Sequence, residues 1–138
     1  MEESIETEEK WIKWEPIEEI KGQFYVDAII NDLEGLKIEL SNDNRKLNLL
    51  FKGFIASCRS TEEGYIQKTY YEISRDHDKL FFKNSPLFKV ENSKYISWLL
   101  EESYEIYHEN LIHFVILTYN FLIDVVTLEE PDIKLIEG

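Results

Sequence analysis

Seven consecutive residues, "CRSTEEG" at 58–64, hold the single cysteine of the chain together with an arginine, two hydroxyls and two carboxylates. A thiol activated by an adjacent base would turn such a cluster into a nucleophilic centre. The spacing argues otherwise. In an extended segment Cys58 and Arg59 point to opposite faces, and no histidine stands close by in sequence. Ser60 and Glu63 match the S-x-x-E capping box, in which a serine hydroxyl and a glutamate carboxylate satisfy the free amides of a helix start, and Glu62 complements the positive end of the helix dipole. The cluster is read as the entrance to a helix, whose inward positions Ile66, Thr69, Tyr70 and Ile73 recur at helical spacing. Cys58 is read as a small hydrophobe, and no catalytic residue is assigned.

Other chemistry fares no better. His77 sits in "RDHDK", and His108 and His113 are five positions apart, unlike the i, i+3 or i, i+4 pairs that ligate metal from a helix. The Asp76-His77-Asp78 triplet lacks the ligand series and glycine of a calcium loop. The five glycines are scattered singly and form no phosphate loop, so no metal and no cofactor is expected. A carboxylate-based enzyme remains an alternative; its sign would be a pocket where acids converge with His77 or His113.

With 28 acidic against 15 basic residues the net charge is −13, which repels nucleic acid and anionic membranes and attracts basic macromolecules. An acidic surface also serves plain solubility. The apolar runs fall far short of the roughly 20 residues of a membrane helix. "MEESIETEEK" lacks the basic and apolar regions of a signal peptide, and one cysteine cannot form an internal disulfide, so a cytoplasmic location is expected. Oligomeric state is not legible.

These residues must be positioned by a single domain over residues 11–130, flanked by a mobile acidic tail at 1–10 and a C-terminal tail at 131–138. "QFYVDAII", "LKIEL" and "LNLLFKGFIASC" read as strands joined by the polar turns "NDLEG" and "SNDNRK". "ENSKYISWLLEESYEIYHEN" reads as the strongest helix, capped by Asn92 or Ser93, with Ile96, Leu99, Leu100, Ser103, Ile106 and Tyr107 turned to the sheet. "LIHFVILTYNFLIDVVTL" gives two strands with Tyr119-Asn120 near their turn. The order βββαβαββ predicts an α+β fold, a mostly antiparallel sheet with two helices packed on one side.

On the second helix, Trp98 lies opposite Ile96 and Leu100, among Glu101, Glu102 and Glu105. A large aromatic in an acidic field is the pattern of an interface for a basic protein partner. The competing reading buries Trp98 under another part of the chain. The layout of "CRSTEEG", "FKVENSKYISWLLEES" and "HFVILTYNFLIDVV" resembles that of small acidic cytoplasmic proteins of Gram-positive bacteria, some of which are immunity proteins of polymorphic toxin systems. That resemblance implies a non-enzymatic protein that binds and blocks a basic toxin domain. It transfers no site residues, and a housekeeping interaction domain without a toxin partner is the other alternative.

Overall fold

A computed structural model describes residues 8–18, 20–75, 85–106 and 110–137. Expectations for residues 1–7, for His77 with its flanking aspartates, and for Tyr107 and His108 fall outside them. The fold is α+β, with nine strands among the described residues: β1 (Lys10–Lys13), β2 (Tyr25–Asp32), β3 (Gly35–Ser41), β4 (Arg45–Phe51), β5 (Ile55–Glu62), β6 (Leu87–Glu91), β7 (Ile112–Leu117), β8 (Phe121–Thr127) and β9 (Asp132–Glu137). Helix α1 (Gln67–Arg75) follows β5 after one 3-10 turn, and α2 (Lys94–Glu102) joins β6 to β7. The strands form two antiparallel sheets, one ordered β1-β6-β7-β8-β5 and the other β2-β3-β4-β9.

Three layers result. Period-2 alternation aims Leu36, Ile38 and Leu40 of β3, and Leu47, Leu49 and Phe51 of β4, at Leu87, Phe114, Ile116, Ile123 and Val125 of the five-stranded sheet. These side chains are almost wholly buried and form the main core between the sheets. The other face of the five-stranded sheet carries Trp11, Phe88, Val90, Val115, Leu117 and Leu122, which pack against Ile66, just before α1, and against Tyr70 and Ile73 of α1. Tyr95 of α2 meets His113 on that same face, so both helices lie on one side of the fold.

The stretch expected as one long third strand is divided. Lys52–Phe54 separates β4 from β5, with Gly53 at φ +74, and the two strands join different sheets. A positive φ is cheap for glycine, which lets the chain turn sharply from one layer to the next. Gly35 is more constrained still: a Cβ there would stand 2.4 Å from the Phe51 carbonyl oxygen. The segment expected as a C-terminal tail is β9, paired with β4 from Arg45↔Glu137 to Leu50↔Asp132. Its Ile133 and Leu135 pack against the main core.

The capping box is also corrected. Ser60 lies within β5 opposite Ile123, and Glu62 caps the short 3-10 turn by accepting the Gly64 amide at 3.0 Å. Strand pairing reaches Glu62, so the backbone of Ser60 is extended and its hydroxyl cannot serve a helix start. For α2 the sequence locates the start well: Ser93 is the N-cap, its Oγ accepting the Ile96 amide at 3.0 Å. The end comes early, because Tyr104 and Glu105 both take φ near +55, and Ile106 is exposed rather than turned to the sheet. No helix among the described residues is long and apolar enough to cross a membrane.

Candidate functional site

Polar side chains interrupt the helix-facing side of the five-stranded sheet where α1 and α2 part. His113 is the one polar residue of β7, and Asp124 interrupts the apolar run of β8. In the β7–β8 hairpin Val115 pairs with Asp124 and His113 with Val126. The two polar residues are therefore diagonal neighbours on one face, within reach of each other. His113 Nε2 lies 2.7 Å from Asp124 Oδ1. Arg59 of β5 pairs directly with Asp124 and donates from Nε to Asp124 Oδ2 at 2.9 Å. At the other end, His113 Nδ1 lies 2.7 Å from the Ser93 hydroxyl.

The result is a linear chain, Ser93–His113–Asp124–Arg59. Three members are buried, and only the arginine reaches solvent, with 54% of its side chain exposed. Ser93 Oγ accepts from the Ile96 amide and is hydrogen-bonded to Nδ1, and Nε2 donates to the carboxylate. The Arg59 guanidinium carbon then stands over the Tyr95 ring, 4.0 Å from its centroid, and the Tyr95 hydroxyl is bonded to Ser57 Oγ. Each link fixes the rotamer of the next, so the chain acts as a strut holding the guanidinium in place.

Serine, histidine and aspartate in a row is also the composition of a hydrolase triad. Here the serine faces away from open space. The cleft beside Arg59 is lined by His113 and Asp124 but not by Ser93, whose oxygen is engaged as the cap of α2. Both nitrogens of His113 and both oxygens of Asp124 are already engaged. A group that shuttles protons needs an atom within hydrogen-bond reach of its substrate. Cys58 lies on the opposite, sandwich face among the core residues, and burial pushes its thiol pKa up, away from the reactive thiolate.

Two lobes of the cleft adjoin at Glu9, Arg59 and Thr69 and together form a trough between the helices. One, of about 300 Å³, has Trp11, Thr61, Ile66, His113, Leu122 and Asp124 as its remaining lining. The other, of about 320 Å³, is completed by Lys68 and Glu72 from α1 and by Lys94, Tyr95 and Trp98 from α2. Glu9 holds the mouth by accepting the Lys94 amide at 2.8 Å. A shallower depression of about 260 Å³ on the outer face of the four-stranded sheet is lined by Lys37, Glu39, Leu50, Asp132 and neighbours. Lys37 is bound there to Glu34.

Of the residues the sequence singles out, Trp98 is 52% exposed on α2, and its ring runs roughly parallel to Tyr95 at 6.3 Å. Glu101 and Glu102 stand exposed one turn further along the helix. Glu105 is exposed too but lies beyond the helix end, in the left-handed turn, so the expected four-residue helical face holds for three of its members. On its trough side Trp98 is accompanied by Arg59, Lys68 and Lys94 as well, a basic neighbourhood that the helical wheel does not reveal. Arg59, Asp124 and Ser93 escape the sequence reading as a connected set. The available signal was a polar residue set inside the apolar run of each of two adjacent strands. No protein-family model, no curated protein and no solved structure matches the chain, so function must be read from the trough and from α2 themselves.

Proposed function

We propose that the chain is a non-enzymatic binding protein that captures a basic protein partner through the outer face of α2 and the turn that closes it. The observation that carries this reading is the exposure of Trp98, with Tyr104 at 90% and Ile106 at 68%, on an element whose exposed charges include Glu101, Glu102 and Glu105. Aromatic side chains supply binding energy when a partner desolvates them, and carboxylates around them steer a basic surface into register. The layout resemblance extends the reading to an immunity protein that works in the cytoplasm, neutralising a toxin domain by covering its functional surface. The net charge of −13 fits such a partner.

The test is kinetic. With the product of the neighbouring gene as analyte, Glu101→Gln with Glu105→Gln is expected to slow association, and this rate should fall steeply with salt near 0.1 M, where the screening length is about 10 Å. Trp98→Ala is expected to speed dissociation and cost about 2 kcal/mol or more of binding. Unchanged kinetics in all variants would remove α2 from the interface. A second reading, an enzyme, draws on the convergence of Glu9, His113 and Asp124 on one cleft. Labelling of Ser93 by a fluorophosphonate would favour it; an unlabelled protein is expected.

A further inference from the structure

Arg59, Lys68 and Lys94 bring three of the 15 basic residues of a strongly acidic chain to one lobe of the trough, from a strand and from both helices. Lys68 and Lys94 make no ion pair with a described residue. Arg59 spends Nε on Asp124, which leaves its two Nη groups as donors, and the strut from Ser93 holds the guanidinium so that little rotamer freedom is lost when they are used. The same lobe is lined by Tyr95 and by the half-exposed indole of Trp98. The site also accommodates a carboxylate already. Glu9, from the segment just before β1, reaches into both lobes and takes the Lys94 amide.

We propose that the trough is a binding site for a small planar anion, an aromatic or heteroaromatic ring bearing a carboxylate or a phosphate. The ring lies against Trp98, and the anionic group is received by Arg59, Lys68 and Lys94 in competition with Glu9, which lines the same lobe. Each lobe stands at the lower end of ligand-pocket volumes, about 300–1,000 Å³, which suits a one- or two-ring molecule and excludes a polymer. Guanidinium forks receive carboxylate and phosphate oxygens two at a time, and an indole face accepts a planar ring. Charge explains the part played by Glu9. Glu9 and Glu72 match the two lysines in formal charge, and displacement of Glu9 leaves an excess positive charge for the ligand. Glu9 is thus a tethered competitor for its own site.

The proposal concerns the isolated protein and does not rest on capture of a protein partner. Calorimetry and tryptophan fluorescence on the full chain would use phenyl phosphate, benzoate, phenol and inorganic phosphate as probes. Saturable one-to-one binding is expected for phenyl phosphate or benzoate, at least about tenfold tighter than for phenol or inorganic phosphate, because ring and charge are both required. The tighter of the two ring anions identifies the anionic group. Arg59→Gln and Lys94→Gln are expected to weaken binding about tenfold or more, and Glu9→Gln to strengthen it several-fold. Lys94 is on the exposed wall, so its variant keeps the test open if Arg59→Gln fails to fold. Absence of saturable binding by both ring anions at millimolar concentration would overturn the proposal. So would equal binding of inorganic phosphate and phenyl phosphate, or binding indifferent to Lys94→Gln and Glu9→Gln.

Discussion

The two faces of the five-stranded sheet are built from the same strands, residue by alternate residue, and they are put to different uses. On the sandwich face Leu87, Phe114, Ile116, Ile123 and Val125 meet a second sheet that covers them completely. On the helix face Val115, Leu117 and Leu122 lie under α1, but His113, Asp124 and Arg59 lie where neither helix covers the sheet fully. Two short helices on a five-stranded surface leave a trough between them. A polar group in the first setting, Thr127 at the end of β8, bonds to backbone at Phe54 and Glu129. In the second a polar group finds three in succession, and the buried polar atoms of the described residues are all satisfied.

The contrast predicts two kinds of loss. Phe114→Ala removes a ring packed on Trp14 and Phe51 and should cost about 3–5 kcal/mol in a urea melt, through lost transfer energy and the cavity left behind. A cost below about 1 kcal/mol would mean that the sandwich collapses around the hole and is not the rigid half. Asp124→Ala creates little cavity but strands the buried Nε2 hydrogen of His113 and frees Arg59; about 2 kcal/mol is expected. Replacing His113 and Asp124 together by apolar residues should recover part of that loss, since the imidazole donor is gone and only the Ser93 hydroxyl, still bonded to the Ile96 amide, loses a partner. If the double variant is as unstable as the single one, packing rather than polar satisfaction governs the helix face.

The smallest effect is one of pH. Tyr70 of α1, partly buried beside Glu63 and Glu62, has its phenol pKa raised from 10 to about 12, by desolvation first and by those carboxylates second. The neutral phenol is favoured in the folded state, so its contribution to stability is complete below pH 10 and is lost as pH rises from about 10 to about 12. Half-exposure limits this to about 1 kcal/mol or less. Tyr70→Phe should flatten the alkaline limb of the stability curve, and an unchanged limb would show that α1 does not seal this end of the face.

Local pattern revealed the parts of this molecule whose partners are near in sequence. The β7–β8 hairpin and the Ser93 cap are written in adjacent residues, and both were legible. "LNLLFKGFIASC" keeps one alternation across Gly53, and alternation says which face a residue takes but not which strand lies beside it. The exchange of sheets at Lys52–Phe54 was therefore invisible. "DIKLIE" alternates too, yet it is short, charged and preceded by Pro131, and only β4 shows what it completes. S-x-x-E at Ser60 is a real motif in the wrong backbone: pairing with β8 holds the segment extended as far as Glu62. Arg59 and Asp124 meet across 65 residues, a separation no local rule spans.

The pairing of β4 with β9 has a consequence for biosynthesis. Strand β4 is finished about 80 residues before its neighbour β9 is made. At about 5–20 residues per second, β4 waits for several seconds as an open edge, with Leu47, Leu49 and Phe51 facing a layer not yet assembled. Such an edge invites pairing with other nascent chains. Yield in the cell should therefore depend on translation speed and on chaperone supply between the synthesis of β4 and that of β9, even for variants whose purified form is as stable as the parent.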